Sequence, residues 1–478
     1  MIHRAAAAIL SLAITCCAGP AVPAAEPVAR EVLAAMKKAA EYYRTQVSSH
    51  GGYVYYYSLD LRQRWGEGVA TSEQIWVQPP GTPTVGSAYL AAWRATGDRF
   101  YLEAAADAAR ALAHGQLTSG GWTNAIDFDS RGERSADYKN GKGRGKANST
   151  LDDGISQNAI LLLMRVDQAL AGQDRLIHDA ADSSFAALLA AQFANGAFSQ
   201  VWTGPAENRP VAKAVYPTYD WRTENRIKAY WTMYTLNDDL CGNVARLLLT
   251  VHEVRGDARA LAALKRLGDF LILAQMPEPQ PAWAQQYDAE MRPIWARKFE
   301  PPAIAGRESQ DAIETLLKVY RATGDRKYLE PIPRAMAYLQ RSLLKDGQLA
   351  RYYELQSNKP LYMTEKYQLT YDDSQVPQHY GWKGASRLDQ IAAEYAAAVA
   401  GRPAAEPAGD AAPTAAQVAE ILGALDAQGR WVSTYDGARI VGQPKFQVGD
   451  RYLASEVFAR NLTVLSAYAG KGKTGGGN

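Results

Sequence analysis

Two stretches place paired acids directly ahead of a helix-forming run. One is "STLDDGISQNAILLLMRV", residues 149–166, with Asp152 and Asp153. The other is "YTLNDDLCGNV", residues 234–244, with Asn237, Asp238 and Asp239. Both obey the Thr-x-x-Asp pattern of a helix capping box, Thr150 with Asp153 and Thr235 with Asp238. Acids at a helix start also suit the macrodipole. A cap needs only one acid, however, and each stretch carries two. Four carboxylates and an Asn amide drawn to one place would make an oxygen-only donor set, which suits Ca²⁺. Cap and site are both open at this level, and the elements that carry the acids decide between them.

Those elements recur. "YLAAWRATGDRFYLEAAADAARALAHGQ" and "ETLLKVYRATGDRKYLEPIPRAMAYLQ" share one phrase, and "LLMRVDQALAGQDRLIHDAADSSFAALLAAQ" and "LLLTVHEVRGDARALAALKRLGDFLILAQ" are weaker copies. Apolar residues recur at three and four positions on both sides of Gly97, Gly172, Gly256 and Gly324, the pattern of an amphipathic helix pair. Glycine ends the first helix in a left-handed conformation, and the Asp after Gly97 or Gly324 caps the second. A lone hairpin cannot bury both faces, so neighbours must stack. The expected fold is all-α: an α/α toroid, an incomplete barrel of helical hairpins with long rim loops and minor β structure in them. The acid stretches precede successive hairpins, which puts both on one rim.

The rim loops are long and aromatic, as binding loops often are. The third approaches through "PAWAQQYDAEMRPIWARKFEPPAIAGRES", residues 281–309, which embeds Arg297 between Trp295 and Phe299. A fourth, "ARYYELQSNKPLYMTEKYQLTYDD", carries Arg351 and Lys366. Interleaved aromatic and basic residues can grip acidic sugars, and they equally make a solvated face. Trp202, Trp231, Trp283 and Trp382 are candidates to stack on sugar rings, or core residues.

Charge is nearly balanced, 52 Lys and Arg against 50 Asp and Glu, which argues against a nucleic-acid partner. Tyr and Trp number 27 and 11 against 9 Phe, a balance that favours flat faces with polar tips. The N-terminus reads as a signal peptide over residues 1–25, with Arg4, an apolar run too short to span a bilayer, and small residues near Ala25. Cys16 and Cys17 lie inside it, in a poor context for lipidation. Cys241 is then the one cysteine left, so no internal disulfide is expected. The expected location is secreted or periplasmic, with no membrane association after cleavage, and a monomer is expected. The expected divisions are a toroid over 26–400, a linker-like loop over 401–414 and helices with a short β segment over 415–470 that complete the toroid. A disordered tail is expected over 471–478.

With these motifs in order, the sequence resembles the family ten pectate lyases, α/α toroids acting on polygalacturonate. The resemblance runs from about residue 150 to 385. "STLDDGISQNA" resembles the family's Thr-Ile-Asp-Asn-Gly-Ala-Thr, and "AAQFANGAFSQVW" its Gly-rich Pro-Gln segment. "YTLNDDLCGNV" is similar to its Thr-Phe-Asn-Asp motif, and "PAWAQQYDAEMRPIWARKFEPPAIAGRES" to its Trp-Cys-Ala-Gln to Ser-Gly-Ser-Glu-Ser block. "HYGWKG" resembles its closing Tyr-Gly-Trp. Three departures stand out: Asp153 for the usual Asn, Arg307 within the Ser-Gly-Ser-Glu-Ser block, and no Asp-Arg-Asp pattern over Met363–Lys366.

The resemblance implies roles. Asp152 falls at the key active-site aspartate, Asp238 at a second calcium-side acid and Arg297 at the base. Arg351 falls on an arginine that holds substrate carboxylate, and Lys366 approximately on another. Calcium is then expected at Asp152, Asp153, Asp238 and Asp239, and substrate at Arg351, Lys366, Asn237, Trp283 and Trp382. The expected activity is Ca²⁺-dependent β-elimination of polygalacturonate or a related 1,4-linked uronan. Arginine is ordinarily always protonated. A base role for Arg297 therefore expects neighbouring cations to lower its pKa. Two alternatives remain: an inverting glycoside hydrolase using Asp152 and Asp238 across a cleft, and a non-catalytic protein that binds acidic polysaccharide.

Overall fold

The computed structural model describes residues 29–223, 227–403, 412–442 and 444–474. The expected signal peptide lies outside these residues, as does most of the expected linker. Twelve α-helices carry the described fold. They are α1 (Ala29–Tyr42), α2 (Thr82–Thr96), α3 (Arg99–His114), α4 (Ile155–Ala169), α5 (Arg175–Ala190) and α6 (Leu240–Arg255). The rest are α7 (Ala258–Ala274), α8 (Gly306–Thr323), α9 (Ile332–Arg341), α10 (Leu388–Val399), α11 (Ala415–Gly423) and α12 (Ser455–Thr474). The last helix thus runs into the stretch expected to be an unstructured tail.

The hairpin turns form as their sequence demands. Gly97 and Gly324 take φ of 77° and 68°, a conformation that costs a Cβ-bearing residue about 1 kcal/mol or more. Gly172 and Gly256 match them. After each, an aspartate side chain accepts from the backbone of the next helix: Asp98 from Phe100, Asp257 from Arg259, Asp325 from Lys327. In the α4–α5 hairpin the cap is Asp174, which accepts from Ile177.

The hairpins then stack. Helices α2, α4, α6 and α8 pack side by side, and α3, α5, α7 and α9 cover them from outside. α12 lies against α2, and α10 against α8. This is an α/α toroid arrangement without a closed barrel. Helix α4 shows why an inner helix is apolar nearly all round: Ile155, Ile160, Leu162, Leu163 and Val166 are all buried, because neighbours flank it on three sides. Gly86 of α2 lets α4 approach, since a Cβ there would sit 2.5 Å from the Leu162 side chain. An antiparallel sheet joins Val432–Thr434 and Arg451–Ala454 to Tyr56–Ser58, so the C-terminal segment packs on the N-terminal one. No described helix is long and apolar enough to cross a membrane.

Short strands stitch one rim together. Ser149–Thr150 pairs with Val201–Trp202, and Tyr234–Thr235 with Gln286–Tyr287. Ala303–Ala305 pairs with Tyr352–Glu354, which continues to Pro360–Met363 and Leu369–Thr370. Ser149–Thr150, Tyr234–Thr235 and Ala303–Ala305 each end just before an inner helix starts. The rim therefore fixes what the first turn of α4, α6 and α8 presents.

Candidate functional site

The acid stretches converge, but as turns rather than capping boxes. The Thr150 hydroxyl accepts from the Asp152 amide at 3.0 Å and donates to the Gln200 carbonyl at 3.0 Å. Thr235 likewise donates to the Met233 carbonyl at 3.0 Å instead of capping α6. Asp152–Gly154 and Asn237–Asp239 are single 3-10 turns that lead into α4 and α6. Asp153 and Asp238 take left-handed φ of 46° and 54°, rare for residues with a side chain. That backbone turns their carboxylates off the helix axis and toward each other. The expected capping boxes are corrected on this ground.

Oxygens of Asp152, Asp153 and Asp238 lie within 4.8 Å of one another. Asp239 stands apart from this trio. The turns superpose in register, so Asp239 occupies the place of Gly154, and its left-handed φ of 51° aims it back over its own helix. There it crowds Gly242, where a Cβ would meet its carboxylate at 2.2 Å. Burial and the nearby Asp311 push its carboxyl up to about 6. The expectation of four calcium-side acids is thus corrected to three.

The trio repels itself. Burial, Asp153 and Asp238 push Asp152 up to about 7. Crowding by protein, Asp238 and Glu67 push Asp153 up to about 6, although the residue is exposed at one edge. The Gln78 amide donates to Asp153 at 2.8 Å and to Glu67 at 3.0 Å, a support with no signal in the sequence pattern. The donors are all carboxylate oxygens with no His or Cys among them. A hard divalent cation such as Ca²⁺ fits this set and would relieve its repulsion.

Arg297 faces the trio, and its charge acts to lower both Asp152 and Asp153. Its guanidinium donates to Glu300 at 2.6 Å, and its own amide donates to the other Glu300 oxygen at 3.0 Å. Burial works to lower the guanidinium pKa, but the Glu300 bond and charge override it and raise it. The expected lowering of Arg297 is therefore corrected: the described site holds it firmly charged. Glu300 is buried, and burial opposes its charge, yet Arg297 keeps it below the usual carboxylate range. Tyr380 also donates to Glu300, at 3.2 Å. The signal for Glu300 was present in the sequence, as an acid three residues past Arg297.

Arg351 is buried behind the trio rather than lining the open cleft. It pairs with Glu308 at 2.8 Å and donates to the Asn237 amide oxygen at 3.1 Å. Asn237 is buried too and donates to Asp238, so it relays Arg351 to the acid trio instead of meeting substrate. Arg307, the departure in the Ser-Gly-Ser-Glu-Ser block, lies 3.6 Å from Asp238. Lys366 is exposed in the turn between the last two strands of the four-stranded sheet and forms no ion pair among the described residues. Its neighbour Tyr367 faces the cleft instead.

Beside Arg297 opens a cleft of about 580 Å³ lined by Lys228, Tyr230, Trp231, Arg297, Lys298, Phe299 and Tyr367. Three cations among four aromatic faces suit an acidic sugar. Among the four candidate tryptophans only Trp231 is open to it, at 39% exposure. Trp283 and Trp382 are buried, and their indole N–H groups donate to the carbonyls of Leu271 and Pro377 at 2.8 and 2.9 Å. Trp202 is buried likewise and donates to Ser119. The substrate roles expected for Trp283 and Trp382 are corrected to core roles. Trp231→Ala is expected to raise KM for an acidic oligosaccharide by about tenfold with little change in melting temperature. Trp283→Ala is expected to cost about 3–5 kcal/mol of stability instead. Steady-state kinetics and thermal melts on both variants check this.

Residues 116–318 match the family model described as pectic acid lyase. No curated protein sequence matches the chain. Among solved structures, a family 10 polysaccharide lyase from Cellvibrio cellulosa is 18% identical over 58% of this chain and 87% of its own, with a TM-score of 0.43. A mutant of a family 10 polysaccharide lyase from the same organism, in complex with trigalacturonic acid, is 17% identical over 60% of this chain and 89% of its own, at 0.45. A cellobiose 2-epimerase from Spirochaeta thermophila is 16% identical over 93% of this chain and 98% of its own, also at 0.45. Likeness at such levels carries no functional weight. The segment that holds Asp152, Asp153, Asp238 and Arg297, residues 116–318, thus matches the pectic acid lyase family.

Proposed function

We propose that this protein is an exported pectate lyase that cleaves polygalacturonate, or a closely related uronan, by Ca²⁺-dependent β-elimination. The observation that carries the reading is the placement of Arg297 against the Asp152, Asp153 and Asp238 carboxylates at the mouth of a cationic, aromatic cleft.

Elimination removes the proton α to the uronate carboxylate and expels the oxygen at C4. The α-proton is weakly acidic, so charge building toward the carboxylate must be stabilised. Calcium at Asp152, Asp153 and Asp238 would supply Lewis-acid charge neutralisation there. The chain's own residues do the rest. Lys228, Lys298 and the aromatic faces bind and orient the sugar chain. Arg351 and Asn237 hold Asp238 in place from behind. Arg297 takes the α-proton, which requires that bound substrate first loosen its contact with Glu300 and that the guanidinium give up one proton to solvent; the expelled C4 oxygen is protonated by water. A guanidinium paired to a buried carboxylate cannot accept a proton.

That requirement sets a direction. Glu300 raises the Arg297 pKa, so removing its charge lowers it. Glu300→Gln is expected to move the rise of kcat/KM with pH toward lower pH by about one unit. A pH–rate series on the purified variant checks this, and an unshifted midpoint counts against Arg297 as the base.

The inverting-hydrolase alternative is disfavoured by spacing. Such enzymes keep their two carboxyl groups roughly 6.5–9.5 Å apart to admit a water, whereas oxygens of Asp152 and Asp238 lie within 4.8 Å. The deciding experiment follows ultraviolet absorbance of the unsaturated product from polygalacturonate, with and without chelator. Absorbance gain that chelator abolishes is expected. New reducing ends without absorbance would favour a hydrolase, and binding with neither would favour a non-catalytic module. A panel of pectin, alginate and glucuronan in the same assay identifies the uronate.

A further inference from the structure

The inner helices also form an open hollow away from the cleft. It measures about 550 Å³ and is bounded by α2, α4, α6 and α12. α2, α4 and α12 each present it with a stripe at helical spacing, such as Asn158, Leu161 and Arg165 on α4, and α6 adds Arg246. A ring of helices ordinarily fills its concave side with apolar residues or balanced charge. Here Arg165, Arg246 and Arg460 line it against a single acid, Glu456.

These arginines lack the partners that arginines elsewhere in this fold possess. Arg351 pairs with Glu308, Arg387 with Asp311 and Arg255 with Asp167. No carboxylate among the described residues lies within ion-pair distance of Arg165, Arg246 or Arg460. Their hydrogen bonds go to neutral oxygens: Arg165 to the Thr250 hydroxyl at 3.5 Å, Arg246 to the Asn158 and Asn243 amides at 3.0 and 3.2 Å, Arg460 to the Asn461 amide at 3.3 Å. Arg165 is half-buried, whereas Arg246 and Arg460 are exposed at the rim of the hollow; burial and the nearby Arg94 and Arg246 charges lower the Arg165 guanidinium pKa. Like charges gathered around one hollow repel one another, and a bound anion relieves that repulsion.

We propose that this concave cavity is a second, anion-binding site in which Arg165, Arg246 and Arg460 grip a small oxyanion, either a sugar carboxylate or a phosphate. Three guanidinium forks offer more donors than their neutral partners use, and planar forks match both anions. The site adjoins the acid turn without sharing a residue with it. Arg246 donates to Asn158, and Asn158 donates at 2.7 Å to the Gly154 carbonyl at the end of the Asp152–Gly154 turn. The inference does not depend on the elimination reaction.

Isothermal titration with galacturonate and, separately, with inorganic phosphate tests it at low and at physiological salt. The proteins compared are the wild type, Arg165→Gln, Arg246→Gln, Arg460→Gln and Arg297→Ala. Binding of at least one anion is expected, weakened about tenfold or more in each of the first three variants, weakened by salt, and kept in Arg297→Ala. Which anion binds tells the sugar acid from the phosphate. Arg460 is exposed, so its variant tests the site even where Arg165→Gln fails to fold. The inference is overturned where neither anion binds below about 10 mM, where the Arg460 and Arg246 variants bind as the wild type does, or where only Arg297→Ala loses binding.

Discussion

Arg297→Ala is expected to lower kcat on polygalacturonate by about 10³-fold while KM changes only a few-fold. The reasoning starts from position. Arg297 is the one residue of the cleft lining whose charge also acts on Asp152 and Asp153. Ground-state binding is shared among Lys228, Lys298 and four aromatic faces, so loss of one cation leaves it largely intact. Proton removal has no such redundancy. Loss of Arg297 also leaves Glu300 buried without its charge partner, and a buried lone carboxylate takes up a proton or destabilises the fold. The double variant Arg297→Ala, Glu300→Gln separates the two effects: it should restore the melting temperature and leave turnover as low as in the single variant. Arg297→Ala with kcat within about threefold of wild type would remove Arg297 as base and leave it a substrate cation.

The legible part of this molecule was the part set by local rules. A Gly-Asp turn ends one helix and caps the next within a few residues, so the hairpins, their stacking and the shared rim could be read from Gly97, Gly256 and Gly324 alone. Asp152 and Asp238 were legible because they sit in the short turn just before an inner helix. Asp239 was misread for a related reason. The two turns share one register, but the acid doublets are offset by one residue within it, so Asp239 stands where the other turn has Gly154 and points away from the trio. The tryptophans failed on different physics. Trp283 and Trp382 look like stacking residues by type, and what makes them core is a carbonyl from Leu271 or Pro377 within reach of the indole N–H. Such partners come from the folded chain. Arg351 was expected to hold substrate carboxylate, and the fold instead buries it against Glu308 of α8, a partner that sequence spacing does not show. The Arg297–Glu300 pair reverses the expected electrostatics of the base, and it was three residues away throughout.

Asp152→Asn is expected to abolish both elimination and the stabilisation that calcium confers, and the pH dependence shows why. Burial, Asp153 and Asp238 raise Asp152 in the folded protein to about 7, and Asp153 stands at about 6, against the ordinary 3.8. A carboxyl raised by folding holds its proton in the folded state where the unfolded chain has already lost it. Its contribution to stability is full below about pH 4 and declines as pH rises through the window to about 7. Glu308, raised by burial to about 7, has the same sign. Glu300 and Asp98 have the opposite sign, since both are held below their ordinary values, and their stability is lost only as pH falls below about 4. In chelator, therefore, the melting temperature should fall from pH 4.5 to 7, and Asp152→Asn should flatten that fall by removing one charge and easing Asp153. Calcium binds the deprotonated trio, so its effect runs the other way: large at pH 8 and absent near pH 5. At calcium a hundredfold above Kd the gain is about 2.7 kcal/mol. Thermal melts of both proteins at pH 5 and pH 8, with calcium and with chelator, decide the matter. An equal calcium shift in wild type and Asp152→Asn at pH 8 would place the cation elsewhere, and with it the charge that the elimination needs.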